Sequence, residues 1–106
     1  MGKFIDMLAK VARAAFQNRV TFDDHSYVEF FTRESLLYAE ENRHKMEIMW
    51  DFQNGRVTGR TLRSSDISRW DDPFANDPLS VSKKAEIQAK IIEYCDRRRI
   101  PLTIVE

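Results

Sequence analysis

The sequence predicts an α+β domain: an antiparallel sheet of about five strands, a long C-terminal helix packed on one face and a short N-terminal helix. Three observations predict it. Met46, Ile48 and Trp50 alternate with Lys45, Glu47, Met49 and Asp51, the period of a half-buried strand. Lys84, Ile87, Ile91, Tyr94 and Cys95 recur at helical spacing, with Ile92 beside them. Asn54-Gly55 marks a tight reversal and Pro101 the end of a helix.

At 106 residues the chain is one domain, large enough to form a core without disulfides or metal. Its 42% hydrophobic and 32% charged residues are ordinary for a globular protein. Lys+Arg and Asp+Glu are both 17, and the zero net charge argues against nonspecific nucleic-acid binding, which needs a basic excess. The lone Cys95 forms no internal disulfide and points to a reducing compartment. No stretch reaches the roughly 20 apolar residues of a membrane span. Asp6, Lys10 and Arg13 break any signal-peptide core, and Asp6 stands where a myristoylation motif wants Ser or Thr. The expectation is a cytoplasmic protein.

In chain order, Phe4, Leu8, Val11 and Ala15 give residues 3–17 one apolar helical stripe, opposite Lys3, Lys10 and Arg13. Its alanines make it shallow, so a helix docked on the domain is preferred to one on a membrane surface. Arg19 to Phe22 and Tyr27 to Phe31 then read as a hairpin around Asp23-Asp24-His25-Ser26. Ser35 to Ala39 and Lys45 to Phe52 read as a second, around Glu40-Glu41-Asn42-Arg43-His44. The helix formers in 34–49 would also suit a helix, but the alternation favours strands. Arg56 to Arg63 is a polar strand expected at an edge, where it could pair with a second copy, and Gly59 marks a bulge or close approach. The domain divides into an N-terminal helix over 1–18, hairpins over 19–63, a Trp-Asp-Asp-Pro connection over 64–80, and helix and final strand over 81–106. Ser80 is a good N-cap, Arg97-Arg98-Arg99 suits the negative end of the helix, and Leu102, Ile104 and Val105 form the last strand.

No constellation for chemistry emerges. His25, His44 and Cys95 lack zinc spacing, and three glycines leave no phosphate-cradling loop. Asp66, Asp71, Asp72 and Asp77 lack the spacing of a calcium loop and suit turns and caps. Adjacent Glu40 and Glu41 point in different directions, which spoils shared acid–base work. Cys95 reads as a core residue, since no histidine stands in a motif relation to it. The expectation is therefore no enzyme, no cofactor and no metal site. What remains is a set of acidic loops, Asp23, Asp24, Glu40, Glu41, Asp71 and Asp72, suited to docking on a basic partner. An alternative is a nucleic-acid-binding or regulatory module using Arg56, Arg60, Arg63 and Arg97 to Arg99.

The run Gly59-Arg60-Thr61-Leu62, then Ser65-Asp66-Ile67-Ser68-Arg69-Trp70-Asp71-Asp72-Pro73, resembles the C-terminal half of the bacterial immunity protein 74 family. Leu79-Ser80 and the helix bearing Lys84, Ile87 and Ile91 fit the same pattern, and the resemblance spans about 19–105. The helix at 3–17 and the long charged turn at 40–44 depart from it. The resemblance implies a small α+β protein that binds and neutralises a cognate polymorphic or contact-dependent toxin, such as a nuclease. It acts by protein–protein contact, as monomer or homodimer, and brings no catalytic residues. Trp70 is the shared structural feature.

Overall fold

The computed structural model describes residues 18–53 and 56–106, with side chains at 18–52 and 59–106. The helix expected over 3–17 and the Asn54-Gly55 reversal lie outside the described residues. The first half of the domain is an antiparallel meander: β1 (Val20–Thr21), β2 (Tyr27–Thr32), β3 (Ser35–Ala39) and β4 (Lys45–Met49), in that spatial order. The strand reading of 34–49 therefore holds over the helical one. Val28 pairs with Tyr38 and Tyr38 with Met46, so the residues of one face stack in rows across the sheet. That face carries Val28, Leu36, Tyr38, Met46 and Ile48, each at most 1% exposed. Their alternation with Lys45, Glu47 and Met49 is what the period-two pattern dictates.

The expected single antiparallel sheet of about five strands is corrected at Trp50. Here the chain leaves β4 and becomes β5 (Asp51–Gln53), which pairs with β6 (Arg56–Arg63) in a second sheet. Trp50 N–H donates to Glu34 O at 3.1 Å and Glu40 N–H to His44 O at 2.8 Å. Even-numbered positions thus hold the ladder to β3, and Lys45, Glu47 and Met49 turn their main-chain groups outward. The outward Lys45 O accepts from Asp71 N at 2.8 Å, so the connection after β6 lies along this edge of β4 and shields part of it.

β6 is not at an edge. It lies between β5 and β7 (Leu102–Val105), and the β6–β7 pair is parallel, which no short turn can produce. The return from β6 to β7 is long: a 3-10 turn at Ser64–Asp66, the connection, and helix α1 (Val81–Arg97). β6 reads as polar because its outward side carries Thr61 and Arg63 while Leu62 is 0% exposed in the core. Arg60 is 8% exposed, its guanidinium 4.2 Å from the Phe52 ring centroid and 5.4 Å from that of Trp50. Register shifts between Phe52 and Gln53, opposite the stretch of β6 that holds Gly59.

α1 starts where Ser80 caps it, the hydroxyl accepting from Lys83 N at 3.0 Å, and ends before Pro101. Ile87, Ile91, Tyr94 and Cys95 form its buried stripe and meet Val28, Leu36, Tyr38, Ile48, Trp50 and Leu62 in one cluster. Ile67 and Trp70 of the connection enter the same cluster, and Trp70 stacks on Tyr38 at 6.1 Å. Ile92, expected beside the stripe, is 45% exposed. Among the described residues no helix is long and apolar enough to cross a membrane.

The contrast between neighbouring isoleucines checks this orientation. Ile91→Ala leaves a cavity and should cost about 2–5 kcal/mol in urea unfolding, whereas Ile92→Ala should cost no more than about 0.5 kcal/mol. Equal losses would contradict the helix placement.

Candidate functional site: an acidic end of the sheet

In a meander, alternate turns share an end of the sheet. The β1–β2 and β3–β4 turns therefore come together, and with them Asp23, Asp24, Glu40 and Glu41. The two turns are built alike. His25 N–H donates to Phe22 O and Phe22 N–H to Ser26 O; Arg43 N–H donates to Glu40 O and Glu40 N–H to His44 O. His25 (φ 67°) and Arg43 (φ 74°) hold the left-handed position. Asp24 Oδ1 accepts from Ser26 N at 3.0 Å, and Asn42 Oδ1 from His44 N at 3.0 Å. An Asx side chain thus closes each turn by bonding two residues ahead.

One face of α1 runs past both turns and ties them down. Lys83 Nζ reaches Glu40 Oε2 at 2.9 Å and Glu86 Oε2 at 2.7 Å. Lys90 Nζ donates to Asp24 Oδ2 at 2.6 Å and Ser26 Oγ at 2.8 Å, with Glu86 Oε1 at 3.9 Å. Glu86 thus bridges the two lysines. The buried Tyr38 hydroxyl donates to the same Glu40 oxygen at 2.7 Å.

These contacts set the protonation states. Hydrogen bonds from Lys90, then Ser26, hold the Asp24 carboxyl well below the usual carboxylate range. Burial pushes Glu40 upward, but hydrogen bonds from Lys83 and Tyr38 outweigh it, and the carboxyl lies below its ordinary value. Hydrogen bonds to Glu86 and Glu40 raise Lys83, and burial, with Glu40 next, raises Tyr38.

The structure thus separates the six acidic residues into three roles. Asp24 and Glu40 are engaged by lysines of α1. Asp23 and Glu41 are exposed and form no ion pair among the described residues. Asp71 and Asp72 line a different depression, with Glu47, Arg69, Trp70 and Ala75. Between the two groups lies a third depression that takes in Glu40, Asn42, His44, Trp70 and Asp77. Shared lining residues, Glu40 and Asn42 on one side and Trp70 on the other, join these hollows into one band. His44 closes its centre: Nε2 is 2.7 Å from Asp77 Oδ2, and the ring stacks on Phe74 at 3.9 Å and meets Trp70 edge-on at 5.1 Å.

The other sequence candidates are dispersed. Cys95 is 2% exposed, and burial pushes its thiol up to about 12. His25 is exposed in its turn. Arg60 is buried, Arg63 pairs with Asp51 at 3.5 Å, Arg97 with Glu93 at 2.6 Å, and Arg98 donates to Asn18 Oδ1 at 2.7 Å. Among the described residues no group of three or more His, Cys, Asp or Glu side chains could hold a metal ion. Sequence reasoning passed over Lys83 and Lys90, although their spacing of seven puts both on one helical face beside Ile87 and Ile91.

The lowered Glu40 pKa gives an acid-limb prediction. A carboxyl whose folded pKa lies below its unfolded value adds stability that is fully present above the unfolded value, about 4.5. That stability is lost as pH falls through the lowered folded value. Urea midpoints of the wild type should fall from pH 5 toward pH 3, and Glu40→Gln should flatten that fall. An unchanged acid slope in Glu40→Gln would contradict the assignment. Comparison of the chain with protein-family models, with curated proteins and with solved structures finds no match.

Proposed function

We propose that this chain neutralises a cognate bacterial toxin in the cytoplasm by protein–protein contact, the role implied by its resemblance to immunity proteins. The observation that carries the reading is the acidic end itself. Two turns of the same geometry are fastened to α1 by Lys83 and Lys90, and Asp23 and Glu41 stand exposed on that frame. A fixed pair of unengaged carboxylates suits a basic surface, such as the substrate-binding face of a nuclease. Because Asp24 and Glu40 are already paired, the contact depends on Asp23 and Glu41 for charge and on the band beside them for shape.

Co-expression with the product of the adjacent upstream gene tests the reading. It should yield a complex that survives purification and should restore growth to cells expressing that product. No complex and no rescue would overturn it. Charge reversal at both exposed acids, Asp23→Lys with Glu41→Lys, should slow association about tenfold or more at low salt and less at high salt. A salt-independent effect, or none, would remove these two residues from the contact.

A further inference from the structure

The connection is folded toward two adjacent residues of the meander. Phe74 N–H donates to Asp71 O at 3.0 Å and Asp77 N–H to Phe74 O at 2.9 Å, two successive turns that bring up a residue at every third position. His44 and Lys45 receive all three. Lys45 O accepts from Asp71 N at 2.8 Å, the His44 ring stacks on Phe74 at 3.9 Å, and His44 Nε2 is 2.7 Å from Asp77 Oδ2. The main chain of His44 also closes the turn that bears Glu41, its N–H donating to Asn42 Oδ1 and its carbonyl accepting from Glu40 N. One residue thus belongs to both sides of the acidic band.

Histidine is not the residue that packing alone would choose here. Its side chain is 18% exposed, and Nδ1 is buried with no hydrogen-bond partner among the described residues. A buried unpaired nitrogen costs stability. A phenylalanine would make the same stack on Phe74 and the same edge contact with Trp70 without that cost. What it would not do is hold Asp77. A carboxylate only accepts, so Nε2 carries the hydrogen of this bond. The Asp77 side chain is 51% exposed, and a pair so open to solvent adds little to stability. The histidine therefore sacrifices stability for placement, the pattern expected of functional sites.

We infer that His44 is the positioning residue of the toxin-binding surface: it holds the connection against the β3–β4 turn, so that Asp71 and Asp72 keep a fixed spacing from Asp23 and Glu41 and one partner meets both groups. The inference rests on the toxin-binding reading and extends it from the turns to the connection. Charge agrees. Glu40 and Lys83, the charged groups that line the His44 hollow with Asp77, are paired with each other at 2.9 Å and leave Asp77 to the histidine. The partner that fits is a basic surface long enough to reach from the turns across His44 to the connection. Complementarity of that kind fixes register as well as rate.

Two substitutions separate placement from packing. His44→Phe keeps the stack and loses the bond to Asp77, whereas His44→Gln keeps a donor for Asp77 and loses the stack. His44→Phe should unfold at a urea concentration equal to or above that of the wild type, and His44→Gln at a lower one. Binding to the product of the adjacent upstream gene should rank the other way, weakened about tenfold or more by His44→Phe and less by His44→Gln. In the free chain, NMR relaxation of the backbone amides should show residues 74–77 loosened in His44→Phe and ordered in His44→Gln. Affinities that follow stability, a connection as ordered in His44→Phe as in the wild type, or failure of His44→Phe to fold would make the histidine a packing residue and overturn the inference. If the wild type forms no complex, the toxin-binding reading falls, and the relaxation data still decide whether His44 places the connection.

Discussion

The architecture depends on the change of partner at Trp50. Lys45–Met49 gives one edge to β3, and Asp51–Gln53 gives its opposite edge to β6, so one extended run belongs to two sheets. Trp50 makes the switch rigid. Its N–H closes the β3–β4 ladder on Glu34 O, and its indole lies 5.6 Å from Phe30, with the Arg60 guanidinium 5.4 Å from its ring. Buried loss of a side chain this large costs about 3–5 kcal/mol in typical cores. Here the loss would also remove the contact that holds the second sheet against the first. The indole Nε1 is buried with no hydrogen-bond partner among the described residues, a penalty of about 1–3 kcal/mol that ring contacts must offset. The connection along β4, the path of α1 and the parallel β7 all follow from where β6 is placed.

The same sheet geometry explains why charge collects at one end. Alternate turns of the meander meet, and α1 crosses them with Lys83 and Lys90 on the side next to its apolar stripe. An exposed ion pair alone contributes little. The Lys90 side chain, however, is only 13% exposed, and its ammonium lies 5.6 Å from the Phe22 and Tyr38 ring centroids. Desolvation of the lysine makes Asp24 and Ser26 necessary partners and gives the β1–β2 turn one position. The framework acids therefore fix geometry, and the acids left in solvent are the ones available to a partner.

Much of the fold was legible because its signals are local. Met46, Ile48 and Trp50 alternate within one strand, and Ser80, Ile87, Ile91, Tyr94 and Pro101 bound and orient one helix. The parallel pairing of β7 with β6 was not legible, since a register between Leu102 and Arg60 leaves no mark on either segment. The polar strand misled for a related reason: Arg60 counts as surface in any composition, yet Trp50 and Phe52 bury it. At the candidate site the turns and their acids were readable. Their meeting, their lysine partners and the contact of His44 with Asp77, 33 residues away, belong to tertiary structure alone.

Burial also separates the interior from the surface in charge. It raises Cys95 and Tyr94 to about 12 and Tyr38 further, so these groups keep their protons at neutral pH. The core is then uniform in charge across the physiological range and responds little to solution conditions. What varies with pH and salt is the end of the sheet, where carboxylates and lysines answer one another at the rim of the helix.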